Sequence, residues 1–192
     1  MIQGATVIEY LEEFRWLSDC EELDEIYCVS FVRDLTPEEV LRRFSGDENT
    51  TEECDAADYV GTAKIGDWTL VVEPGGWELA ATPEIYTRVG RGTEIVSVSR
   101  HDCASDTFVY IVDGEPVVQF EPMFPGDRSG TDPDRLVEEM RVVGLNPDHD
   151  IDGPDIGSPI ERSFALASKI VALHFSPEML ELCSFRTAPR ED

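Results

Sequence analysis

Lysine is nearly absent from this chain. Only Lys64 and Lys169 are lysines; the other 13 basic residues are arginines, set against 41 aspartates and glutamates, for a formal net charge of −26. A surface of that sign repels nucleic acid and anionic membranes and favours encounter with basic partners. Long apolar runs are missing too: none approaches the roughly 20 residues of a membrane-spanning helix. Met1 to Glu9 lacks the basic region and apolar stretch of a signal peptide, so a cytoplasmic location is expected. The five cysteines (Cys20, Cys28, Cys54, Cys103 and Cys183) are odd in number and scattered, with no C-x-x-C pair. That spacing argues against a disulfide framework or a zinc site and leaves free thiols.

What is present fits one globular domain spanning residues 1–192: 41% of residues are apolar and 29% charged. The acidity is uneven. Residues 1–58 carry a net −13, against −6 for 59–131 and −7 for 132–192. Two explanations compete for it. Concentrated charge suits a basic protein partner, whereas the arginine bias also fits a GC-rich genome whose proteins are acidic through codon usage.

The stretch Trp68 to Leu79 anchors the fold. Trp68, Leu70 and Val72 alternate with Thr69, Val71 and Glu73, the period-two pattern of a strand, and Pro74-Gly75-Gly76 ends it. Trp77 is expected to pack under a helix beginning at Pro83. Other strands are expected at Ile26 to Asp34, Tyr59 to Ile65, Glu94 to Arg100, Thr107 to Val112 and Glu115 to Glu121. Gly66-Asp67 and Asp113-Gly114 are the hairpin turns, and Pro116 marks an edge strand.

Helix starts recur as a capping side chain followed by proline: Thr36-Pro37, Thr82-Pro83, Asp132-Pro133, Ser158-Pro159 and Ser176-Pro177. Thr36 with Glu39, Ser158 with Glu161 and Thr6 with Glu9 have capping-box spacing. Helices are therefore expected over Val7 to Leu17, Pro37 to Phe44, Pro83 to Val89, Pro133 to Val143, Pro159 to Phe175 and Pro177 to Leu182. Residues 47–58 form an acidic loop, and the part from 132 to 183 is helical. The sum is an α+β fold: an antiparallel sheet of about five to six strands, packed by helices from the N-terminus and the C-terminal third.

Several strings together carry a resemblance: Phe31 to Arg43, Trp68 to Trp77, Arg91-Gly92-Thr93-Glu94, Phe120 to Pro125 and Arg128 to Pro133. They resemble a family of uncharacterised acidic proteins of actinobacteria, a domain of unknown function. The resemblance spans most of residues 27–185 and implies a GC-rich bacterial host and a cytoplasmic setting. It implies no catalytic residues.

Candidate sites are few. Asp148-His149-Asp150-Ile151-Asp152-Gly153 matches the opening of a calcium loop, with Asp148, Asp150 and Asp152 at alternate positions. Pro159 stands where the bidentate Glu should be, so a solvated acidic loop competes with the calcium reading. Arg100-His101-Asp102-Cys103 places a thiol beside a base, but neighbours at a strand end seldom reach the geometry of a nucleophile pair. His174 is expected in the core of the Pro159 helix. Gly75-Gly76 and Gly90-Arg91-Gly92 read as turns, not phosphate loops. Arg128-Ser129-Gly130 precedes a helix start, where Asp132 would oppose an anion.

Two functions follow. The first is a non-enzymatic acidic module that engages a basic protein partner through Glu21, Glu22, Asp24 and Glu25, resembling an immunity protein or a mimic of nucleic-acid charge. The second is a small-ligand pocket or enzyme at the sheet end, with Trp77, Phe124 and Arg128 at its rim. Neither calls for a cofactor other than the calcium candidate, nor for nucleic acid or membrane, and the oligomeric state is left open.

Overall fold

The computed structural model describes residues 12–20, 23, 25–46, 59–102, 105–148, 159–182 and 186–189. The Thr6–Glu9 box, the acidic loop 47–58, Ser158, and cysteines 54, 103 and 183 lie outside them.

Among the described residues the sheet is fully antiparallel with seven strands: β1 (Tyr27–Arg33), β2 (Tyr59–Ile65), β3 (Trp68–Pro74), β4 (Glu94–Arg100), β5 (Thr107–Val112), β6 (Glu115–Phe120) and β7 (Arg186–Pro189). Their spatial order is β6-β5-β4-β1-β3-β2-β7. β1 is central, pairing with β3 (Phe31 opposite Leu70) and with β4 (Phe31 opposite Val96). The α+β antiparallel architecture agrees with the sequence. The short β7, paired with β2, is an addition that its composition does not announce.

Both sheet faces are covered, which is why β1 and β3 are buried over almost their whole length. On one face Tyr27, Val29, Phe31, Leu70, Val72, Val96, Val98 and Phe108 join Phe14, Met140, Phe164 and Phe175. These last come from the N-terminal segment, α4 (Val137–Val142), α5 (Pro159–Val171) and its exit ahead of α6 (Pro177–Leu182). Phe164 stacks on Phe175 at 5.5 Å between ring centroids. On the other face Cys28, Val32, Val71, Ile95, Val109 and Ile111 meet α1 (Pro37–Ser45), α2 (Glu78–Ala81) and α3 (Pro83–Val89). Burying each large apolar side chain contributes about 1.5–3 kcal/mol, so these two layers supply the main driving force.

Three helix expectations need correction. The helix expected from Pro133 begins only at Val137. The backbone N–H groups of Thr131 and Asp132 donate to Pro116 and Val117 of β6 (3.0 and 3.1 Å), so the edge strand holds the would-be cap. Gly130 makes this approach feasible: its φ is +123°, and a Cβ there would lie 2.2 Å from the Val117 carbonyl. α5 ends at Val171 instead of Phe175, because Ala172 turns left-handed (φ 54°). That break swings His174 into solvent, where its Nδ1 meets the Glu13 carboxylate, and sends Phe175 inward. His174 is therefore not a core residue. Of the helix expected over Val7 to Leu17, residues 7–11 lie outside the described residues and Arg15–Asp19 is a 3₁₀ helix, although Phe14 and Leu17 are buried as their spacing predicts.

Candidate functional site: an arginine-lined cleft between two helix ends

α1 follows its sequence closely. Thr36 Oγ1 accepts the Glu39 N–H (3.3 Å), Pro37 opens the helix, Val40, Leu41 and Phe44 are buried, and Gly46 closes it at φ 71°. α3 starts at Pro83 without a side-chain cap and buries Ile85 and Val89. The two helices lie side by side on the sheet with their C-terminal ends together.

That junction leaves carbonyls without intrahelical partners, and arginines supply the donors. The Arg88 guanidinium, from α3, donates to the carbonyls of Arg43 and Phe44 in the last turn of α1. The Arg43 guanidinium, from α1, donates to Val89 O (3.0 Å) at the end of α3 and to Arg91 O (2.7 Å) just beyond it. Cations at the negative ends of two helix dipoles are favourably placed. Gly46, whose φ of +71° favours glycine, lies directly against the Arg88 guanidinium.

Arg42, Arg43, Arg88 and Arg91 together line a cavity of about 750 Å³, completed by Gly46, Pro83, Glu84 and Thr87. That volume lies within the range of small-molecule sites. Glu39 stands at the arginines as an internal anion. Arg42 donates to both of its oxygens (2.8 and 2.7 Å), and Arg43 Nε donates to one (2.7 Å). Hydrogen bonds from Arg42 and then Arg43 hold the Glu39 carboxyl well below its usual range, at about 2. Instead of reaching back to complete the capping box, Glu39 reaches forward to these guanidinia. Four arginines thus gather beside Glu39 and Glu84 in a chain of net −26. Arg91 is exposed, and its side chain has no partner among the described residues.

A second polar feature lies inside the sheet layer. Glu73 is fully buried, and its carboxyl accepts the N–H groups of Glu78 (2.8 Å) and Leu79 (3.2 Å), capping α2 from five residues upstream. Burial, and then the Glu78 carboxylate beside it, push the Glu73 carboxyl well above the ordinary carboxylate range. Cys28 faces Glu73 across the β1–β3 pair, bonded to Ser30 Oγ (3.4 Å), which bonds in turn to Ser97 Oγ (2.5 Å). Burial, reinforced by Glu73, pushes the Cys28 thiol up, which makes it a poor nucleophile. Small side chains in this row let α2 lie across β1, β4 and β5, so the row is architecture.

The residues singled out from sequence fall elsewhere. Trp77 does not pack under α3; it is 41% exposed, edge-on to His101 with centroids 4.9 Å apart. Phe124 is 45% exposed. Arg128 directs its donors to Pro125 O (2.8 Å), Pro133 O (3.2 Å), Pro147 O (2.5 Å) and Asp134 (2.7 Å), clasping its own loop. None of these three side chains lines the arginine cleft. Asp148 is exposed and paired with Arg141, while Asp150 and Asp152 lie outside the described residues. Among the described residues no group of three or more His, Cys, Asp or Glu is placed to hold a metal ion. Glu25 is exposed, and Glu21, Glu22 and Asp24 lie outside the described residues. No helix among the described residues is long and apolar enough to cross a membrane.

Sequence reading passes over the four arginines because each has a local explanation. The available signal was their position: Arg42-Arg43 and Arg88 sit in the last turns of two capped helices, and Arg91 follows directly. Only the packing of α1 against α3 turns two helix ends into one cleft.

Fold and site thus define an α+β protein with one two-faced antiparallel sheet and a cationic cleft on its α1–α3 side. The chain belongs to a family of unknown function (DUF6461), matched over residues 7–191. No curated protein and no solved structure matches it.

Proposed function

We propose that the protein is a binding module whose cleft between α1 and α3 takes a small anionic ligand. The observation that carries this reading is the convergence of four guanidinium groups on one cavity in a strongly acidic chain. Arg43 and Arg88 direct several of their donors at the carbonyls of two helix ends, so those bonds position the guanidinia while the helix C-termini offset only part of their charge. Arginine forks also suit carboxylate and phosphate better than lysine does. The test is thermal unfolding of the full chain in millimolar phosphate, sulfate, citrate and aryl phosphates, beside an Arg91→Ala variant. A ligand that binds only the native state raises the melting temperature with its concentration. The reading holds if one anion stabilises the wild type and not the variant, and fails if none does.

A second reading rests on charge. The net −13 of residues 1–58 supports engagement of a basic protein partner, in a reading that makes the protein a cytoplasmic, non-enzymatic module of an actinobacterial host. Affinity purification at low and high salt tests it: a basic partner whose retention falls with salt is expected. Retention that ignores salt refutes it.

A further inference from the structure

Resting on the cleft reading above, we infer that its ligand is a soluble phosphate monoester of a small organic molecule, and that Glu39 competes with that ligand for Arg42 and Arg43. Charge points to the phosphate. The lining carries four arginines and one carboxylate, Glu84, with Glu39 bonded to Arg42 and Arg43 beside it. A phosphate monoester brings about −1.5 to −2 at pH 7 and three acceptor oxygens. A carboxylate brings one charge and two oxygens.

Glu39 sharpens the distinction. It already gives Arg42 a two-point carboxylate contact at 2.8 and 2.7 Å and Arg43 a third bond at 2.7 Å. An incoming carboxylate that displaced it would exchange like for like. A phosphate either displaces Glu39 with a second charge in hand, or shares the guanidinia and takes Arg91 as well. Glu39 is about one-third exposed, so an incoming anion can reach the guanidinia that it holds. Size points to the organic part. A cavity of about 750 Å³ far exceeds one phosphate group, and Pro83 and Gly46 supply wall that carries no charge.

Calorimetric titration of the full chain with phenyl phosphate, benzoate and inorganic phosphate at pH 7.5 and 5.5 tests this inference. Phenyl phosphate should bind about tenfold tighter than benzoate, the worth of roughly one further charge-assisted hydrogen bond. Its affinity should fall at pH 5.5, below the second phosphate pKa of about 6. Glu39→Gln should tighten binding of phenyl phosphate. Arg91→Ala should weaken it about tenfold at an unchanged melting temperature, and this arm decides if Glu39→Gln does not fold. Benzoate binding as tightly as phenyl phosphate overturns the phosphate assignment while leaving an anion cleft. Inorganic phosphate binding as tightly as phenyl phosphate overturns the organic part. No heat with any of the three overturns both this inference and the reading beneath it.

Discussion

Arg43 and Arg88 cap each other's helices. Each guanidinium leaves its own helix and donates to carbonyls that end the other, Arg88 on Arg43 O and Phe44 O, Arg43 on Val89 O and Arg91 O. One exchange therefore fixes the α1–α3 junction and aligns the cleft. Arg43→Ala and Arg88→Ala should each cost about 1–3 kcal/mol in urea unfolding, the range for hydrogen bonds from charged donors. The double variant should lose less than the sum, because both losses loosen the same junction. Arg88→Lys should recover only part, since a single ammonium does not reproduce the fork. Losses below about 0.5 kcal/mol for both single variants would show that the junction does not depend on them.

Glu73 predicts a pH effect of opposite sign to that of an ordinary surface carboxylate. Its folded-state pKa is raised by burial and by Glu78, so the native state keeps a proton that the unfolded state releases from about pH 4.3 upward. Its contribution is fully present below that value and is lost as pH rises through the folded pKa. Glu73→Gln imitates the protonated form and should flatten this slope with little loss at neutral pH. Glu73→Ala strands two buried N–H groups and should cost about 2–3 kcal/mol. Chemical unfolding across pH 4 to 8 checks both. Equal losses for Gln and Ala would mean that the cap works as a carboxylate.

Glu39 titrates the other way. Its pKa, held near 2 by Arg42 and Arg43, gives stability that is present above the unfolded carboxylate range and lost as pH falls through about 2. Glu39→Gln should remove that acid-side slope and forfeit at pH 7 the stability that the wild type gains across it. An unchanged acid limb in the variant would contradict the pairing.

The two tryptophans flanking β3 should respond very differently. Trp68 is 6% exposed within the main core cluster, and Trp68→Ala should cost about 3–5 kcal/mol. Trp77 is 41% exposed and lies edge-on to His101, so Trp77→Ala should cost clearly less, no more than about 1.5 kcal/mol. Thermal melts of the two variants decide; similar losses would place Trp77 in the core.

Local rules made much of the fold legible. β1, β3 and β4 were fixed by alternation, α1 by Thr36, Pro37 and Gly46, and the hairpins by Gly66-Asp67 and Asp113-Gly114. What escaped depends on partners distant in the chain. α2 has four residues, and its cap, Glu73, belongs to the preceding strand. β7 exists only through β2, more than a hundred residues earlier. Pro133 fails to start a helix because β6 takes the preceding N–H groups, and His174 leaves the core because Ala172 breaks the period that placed it there. The cleft was illegible for the same reason: no window of sequence contains both Arg43 and Arg88.

A titration of arginine Nε–H resonances with phenyl phosphate tests most directly whether the four arginines form one anion site. Assigned Nε–H signals of Arg42, Arg43, Arg88 and Arg91 should shift together along one saturating curve, while Arg128 and Arg135 stay in place. Shifts spread across all arginines, or absent from these four, would contradict it.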